Sequence, residues 1–242
     1  MNIIHAGGKI NNIGYTNSYE SILHNIKFNP SKIFEIDVIK IKDSYVIAHN
    51  FCEKNYGLDK NFTDCSIEEY NKLKIYNTYT PMNFNKLKLI VDEYPEYKFI
   101  LDIKENGVEY YNTLCYIQNI FKEKFNINLI PQVYCIEDIN YCINLNCSNC
   151  LVALWKYNIS IYTEECYKFL ESIDNLNINI FGISVWFYFY SKDNDCPKEY
   201  INNNFDEFKL KCKNNQIYFH GQMLSDNIID DYNKKGILFF KC

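Results

Sequence analysis

Apolar and polar positions change period repeatedly along this chain. Short runs rich in β-branched and aromatic residues alternate with longer stretches of helical spacing. The strand-like runs are Asn2–Ala6, Lys32–Ile41, Tyr45–His49, Lys98–Ile103, Leu129–Tyr134, Leu151–Trp155, Ile178–Val185, Gln216–His220 and Gly236–Phe240. The helical stretches are Ser18–Phe28, Ser66–Lys74, Asn83–Glu93, Gly107–Phe125, Thr163–Ile173, Pro197–Cys212 and Ser225–Asn233. Ser18 is placed to cap the first of these, and Ser66-Ile67-Glu68-Glu69 opens the second with a capping-box pattern. Asp43-Ser44 joins two strand runs as a tight turn would. Strands alternating with helices predict a parallel sheet with helices outside it. With Tyr45–His49 set aside as an extra hairpin strand after the second strand, the units fit a single α/β domain over 1–242. The expected architecture is a (β/α)8 TIM-type barrel. A doubly wound sheet is the alternative, but no glycine-rich nucleotide motif follows any strand.

The second strand run carries an anomaly. Glu35 and Asp37 stand two apart in an otherwise apolar segment, so both carboxylates point to one face. Buried together they repel and lose hydration unless something neutralises them. A hard divalent cation would do so. Nearby lysines or backbone donors would also serve.

Strand ends in parallel α/β folds carry the chemistry, and here they are polar. His5 closes the first strand before Ala6-Gly7-Gly8, and His49-Asn50 closes the hairpin strand. Asp102 and Lys104 repeat the two-apart spacing, Gln132 and Tyr134 end the next run, and His220 and Gln222 end a later one. Each has a structural reading: a hydrogen-bonded histidine, a turn, an ion pair between Asp102 and Lys104. A barrel would nevertheless converge them. Three carboxylates suit Mg2+ or Ca2+, two histidines suit a general acid and a general base, and a lysine suits an anionic oxygen.

Composition narrows the partners. The net charge is -5 and all 25 basic residues are lysine. No guanidinium clamp on phosphate exists, and no basic nucleic-acid surface is expected. Eleven cysteines are scattered through the chain, and the opening MNIIHAGG has neither a basic stretch nor an apolar core of leader length. Free thiols in a cytoplasmic protein without stable membrane insertion are expected. Cys135, Cys142, Cys147 and Cys150 could form a zinc site, but they lack paired knuckles and read better as buried thiols.

The order HAGG, TNS, FEIDV, D-x-x-V-I-A-H and L-D-I-K resembles the glycerophosphodiester phosphodiesterase family, among the phosphatidylinositol-phospholipase-C-like barrels. The match is strongest over Met1–Asn50 and rests mainly on element order beyond Trp155. The resemblance implies a barrel, one divalent cation (Mg2+ or Ca2+) and a small phosphodiester substrate. It implies His5 and His49 as the catalytic pair, Glu35, Asp37 and Asp102 as metal ligands, and Lys104 and Asn17 at the substrate; Gln132 and His220, at strand ends, are further substrate-binding candidates. Asp102 stands where the family usually has glutamate, Thr16 where it has a glutamate before the asparagine, and Ala6 where it has arginine. The expected activity is metal-dependent hydrolysis of glycerophosphodiester-type substrates. The alternatives are a phospholipase-like enzyme, with the run Trp186–Tyr190 as an apolar lip, a lyase forming a cyclic phosphate, and a catalytically weak barrel binding a phosphorylated ligand or partner.

Overall fold

A computed structural model describes residues 2–154, 164–186, 208–212, 215–220 and 238–241. Eight strands run parallel: β1 (Ile3–Ile4), β2 (Ile33–Lys40), β5 (Lys98–Ile103), β6 (Leu129–Val133), β7 (Asn149–Ala153), β8 (Asn179–Trp186), β9 (Ile217–His220) and β10 (Leu238–Lys241). Their pairings run β1-β10-β9-β8-β7-β6-β5-β2 and return to β1 through Ile4↔Phe34. The hairpin strand β3 (Tyr45–Ile47) pairs antiparallel with β2, and the short β4 (Met82–Asn83) pairs antiparallel with β3.

Between the strands lie α1 (Tyr19–Phe28), α2 (Ile67–Tyr70), α3 (Phe84–Glu93), α4 (Val108–Phe121), α5 (Glu123–Asn128), α6 (Ile136–Asn144) and α7 (Glu164–Ile173). Ser18 caps α1 by accepting the Ser21 N–H, and Ser66 with Glu69 forms the expected capping box on α2. Three departures from the sequence reading stand out. The helix expected over Gly107–Phe125 is broken at Lys122, which sits at φ 50. The second helix is only four residues long. A helix that the pattern did not predict, α6, follows β6. The helices expected at Ser225–Asn233 and over most of Pro197–Cys212, and the aromatic run beyond Trp186, lie outside the described residues, as does the His220 side chain. No helix among the described residues is long and apolar enough to cross a membrane.

The period of two sorts each strand into two faces. Phe34, Ile36 and Val38 of β2 and Phe99, Leu101 and Ile103 of β5 join the core that also holds helix residues such as Leu87, Leu114 and Ile139. The alternate residues Ile3, Ile33, Ile100, Ile130, Leu151, Tyr218 and Phe240 form a separate apolar cluster, inside the ring. Two residues further along the same faces come His5, Glu35, Asp102 and Gln132, and then Asp37, Lys104 and Tyr134. The apolar cluster is therefore a floor, and the polar residues lie above it towards the carboxyl ends of the strands. The segment between β3 and β4 builds a third cluster of its own, with Tyr56, Phe62, Tyr70, Ile75 and Tyr79 packed on Ile39, Ile41 and Val46. The Tyr70 hydroxyl donates to the carbonyls of Ile47 and Met82 and ties that segment to both of its strands.

Candidate active site

Register brings the carboxylates together. Asp37 of β2 lies opposite Asp102 of β5, and Glu35 lies opposite Ile100, one step nearer the floor. Relative exposure is 0% for Glu35 and 1% for each aspartate. One oxygen from each of the three falls within 4.8 Å of the others, so the group could hold a metal ion. Their environments differ. Lys104 Nζ lies 2.6 Å from Asp37 Oδ1 and also contacts Asp102 Oδ2. Asn17 Nδ2 donates to Asp37 Oδ2 at 2.8 Å, and the Tyr134 hydroxyl donates to Asp102 Oδ1. The Ala6 N–H donates to Glu35 Oε2 at 2.8 Å, whereas Glu35 Oε1 is buried without a hydrogen-bond partner.

Of the two ways of neutralising the pair that the sequence left open, the structure shows the second, and only in part. A lysine, an amide and a phenol hold the aspartates and a backbone N–H holds Glu35, yet three carboxylates face one ammonium and one oxygen stays bare. Burial, then the charges of Asp37 and Asp102, push the Glu35 carboxyl well above its usual range. Burial also raises Asp102, against the pull of Lys104. For Asp37 burial acts upward too, but Lys104, His49 and His5 outweigh it and leave it below the ordinary carboxylate range. Burial works to lower Lys104, and Asp102, Asp37 and Glu35 together hold it above the usual lysine range. A dication at this point would restore charge balance and give Glu35 Oε1 a partner. The all-oxygen donor set fits a hard ion.

The two histidines reach the same place by different routes. His5 does not end a strand. It opens a 3-10 turn, His5–Gly7, that leaves β1 after Ile4. Gly7 and Gly8 take φ 74 and 84, and a Cβ at Gly8 would fall 2.4 Å from Asn25 Nδ2. The H-x-G-G sequence is thus a turn packed against α1, as a bare backbone allows. His5 Nε2 lies 3.6 Å from Glu35 Oε2, and burial lowers the imidazole to about 4, so it is neutral near neutrality. His49 follows β3, where the Ala48 N–H donates to the Asp37 carbonyl. His49 Nδ1 lies 2.6 Å from the Asn50 carbonyl. A carbonyl only accepts, so Nδ1 carries the proton and the lone pair of the neutral ring is on Nε2.

The sequence reading missed Tyr15 and gave Tyr134, which it named as a polar strand end, no part in the site. Tyr15 presents its ring edge-on to His5 at 4.8 Å and to His49 at 6.2 Å between centroids. No periodic signal marks it. Its position follows from a loop in which Ala6, Tyr15 and Asn17 all have positive φ, strain of the kind that collects at functional sites. Tyr134 touches Asp102 directly, and the alternation Ile130, Gln132, Tyr134 that marked it as a polar strand end also puts it on the face of the site. Of the expected substrate contacts, Lys104 faces the carboxylates, Asn17 is buried against Asp37, and Gln132 is buried with its Nε2 on the Tyr134 hydroxyl at 2.6 Å. Cys142, Cys147 and Cys150 belong to the core between sheet and helices, and burial pushes the Cys150 thiol up to about 12. They behave as buried apolar groups.

No family model and no curated protein matches the chain. Solved structures do. A phosphodiesterase of Oleispira antarctica, determined in complex with the product sn-glycerol-3-phosphate, aligns with TM-score 0.71 and 14% identity over 98% of this chain and 91% of that one. A Galdieria sulphuraria protein assigned to the glycerophosphodiester phosphodiesterases aligns with TM-score 0.69 and 15% identity, covering 99% and 92%. A glycerophosphodiester phosphodiesterase of Agrobacterium tumefaciens aligns with TM-score 0.68 and 9% identity, covering 100% and 95%. At such identities the likeness is one of architecture: this chain has the fold of the glycerophosphodiester phosphodiesterases.

Proposed function

We propose that the chain is a metal-dependent phosphodiesterase that hydrolyses glycerophosphodiester-type substrates, with residues 1–242 acting as one domain. The observation that carries the reading is the buried Glu35–Asp37–Asp102 group, with its unpartnered Glu35 Oε1, lying beside two imidazoles above the floor of a barrel. The pairing of β1 with β10, from opposite ends of the chain, supports a single domain. Glu35, Asp37 and Asp102 would hold Mg2+ or Ca2+, which supplies charge stabilisation to a phosphate oxygen.

The remaining chemistry belongs to side chains. One imidazole takes a proton from the nucleophile and the other gives a proton to the leaving alkoxide. His5, held neutral by burial and pressed against Glu35, has a ring nitrogen able to accept the nucleophile's proton, and His49, whose Nδ1 is tied to the Asn50 carbonyl, would give the alkoxide a proton carried on Nε2. Lys104 supplies the positive charge that an arginine would otherwise bring to a phosphate. Asn17 holds Asp37 and so acts through that carboxylate.

The test is turnover of a panel of glycerophosphodiesters and of bis(p-nitrophenyl) phosphate, with Mg2+, with Ca2+ and with EDTA. Metal-dependent hydrolysis is expected. His5→Ala and His49→Ala should each lower kcat by roughly 10²–10⁴-fold. Absence of metal-dependent turnover across the panel, or full activity in the double histidine variant, would overturn the assignment.

A further inference from the structure

Asp102 carries its carboxylate on a single methylene, so its direction depends on what holds it. Two groups hold it from different sides. Lys104 contacts Oδ2 and the Tyr134 hydroxyl donates to Oδ1. Asp37 Oδ1 meets the same ammonium at 2.6 Å. Asp37 Oδ1 and Asp102 Oδ2 therefore meet at one ammonium, and Tyr134 grips the other oxygen of Asp102.

Tyr134 is itself held twice. Gln132 Nε2 donates to its hydroxyl oxygen at 2.6 Å. The hydroxyl has one proton, already given to Asp102, so it presents only lone pairs to Gln132. Turning the Gln132 amide over would set oxygen against oxygen, which fixes the amide's orientation. The Tyr134 backbone N–H donates to Asp138 Oδ2 at 2.9 Å, in the first turn of α6. Gln132 is anchored in turn, because the Tyr110 hydroxyl donates to its main-chain carbonyl at 2.9 Å. The run from Tyr110 through Gln132 and Tyr134 ends on one oxygen of one carboxylate.

We propose that Tyr134, oriented by Gln132, is a positioning residue that fixes the Asp102 carboxylate from one side, so that its other oxygen is turned into the Glu35–Asp37–Asp102 group and an aspartate can serve as the third ligand of the cation. The inference rests on the proposed function, in that it takes the three carboxylates to hold Mg2+ or Ca2+. It adds a role for β6 that the carboxylates alone do not disclose. Groups that orient a ligand in this way typically contribute about 10–100-fold to metal affinity.

The experiment is calorimetric titration of the purified, EDTA-stripped protein with Mg2+ and with Ca2+, on the wild type, Tyr134→Phe, Asp102→Glu and the double variant, beside thermal melts in EDTA. Tyr134→Phe should weaken binding roughly 10–100-fold while the metal-free melt falls by only a few degrees, the cost of the lost hydroxyl partner, since Lys104 still holds Asp102. Asp102→Glu should also weaken binding, because its extra methylene drives the carboxylate into the Tyr134 hydroxyl. The double variant, with that hydroxyl removed, should bind at least tenfold more tightly than Asp102→Glu alone. If Tyr134→Phe unfolds, Gln132→Met gives the second reading and should weaken binding in the same direction. Wild-type affinity in Tyr134→Phe, or losses that simply multiply in the double variant, would overturn the role of Tyr134. A wild type that binds neither ion would instead overturn the metal site itself.

Discussion

Lys104 is the ammonium that Asp37 and Asp102 both contact, and its Nζ marks the point where the carboxylates converge. A residue in this position is hard to remove without leaving like charges buried together, which typically costs about 3–5 kcal/mol. Lys104→Met keeps the length and removes the charge. In EDTA its melting temperature should fall by on the order of 10 °C for a chain of this size. Millimolar Mg2+ should return part of the loss, because two positive charges replace one. An unchanged melt in EDTA would show that the carboxylates take up protons instead. Tyr15 and Asn17 illustrate why single residues were unevenly legible. Asn17 lies in a motif whose neighbours could be matched, whereas Tyr15 gains its place between the histidines only from a loop of positive-φ residues. That conformation leaves no periodic trace in a sequence.

Elements were readable where local chemistry decides them. Ser18 and Ser66 cap the helices they were expected to cap, since a hydroxyl accepting an N–H two or three residues on is a short-range event. Strand β2 was readable because its β-branched residues and paired carboxylates obey one period. Helix α6 was not, because Cys135 at its N-cap gives no side-chain hydrogen bond and Asp138 reaches back to Tyr134 instead. The break between α4 and α5 was missed because Lys122 is an ordinary helix former. In the structure it is exposed and holds φ 50, ψ -121, a conformation that glycine adopts without penalty. Lys122→Gly should therefore stabilise the protein by about 1 kcal/mol. The measurable result is a rise of roughly 2–4 °C in melting temperature. A fall would mean that the lysine stem covers more apolar surface than its exposure implies.

At the scale of the molecule, the barrel itself was legible from alternation of period, and so was the list of polar strand ends. The geometry that turns the list into a site was not, because it depends on ring closure and on register between strands distant in sequence. Closure is thin at one place. β2 and β5 are matched by six residue pairs, but β1 and β2 by the single pair Ile4↔Phe34. Just past that pair the Ala6 N–H finds no ladder partner and takes Glu35 Oε2 instead, at 2.8 Å. A side chain thus completes a strand pairing. One backbone amide then becomes a gauge of the seam. In hydrogen exchange Ala6 should be protected as if it lay within a ladder. Glu35→Ala should speed its exchange on the order of tenfold, equivalent to one hydrogen bond of about 1.4 kcal/mol, while the amides of β5 keep their rates. The same variant would abolish a ligand and loosen a staple, so loss of turnover at Glu35 has to be read beside the exchange rate of its neighbour.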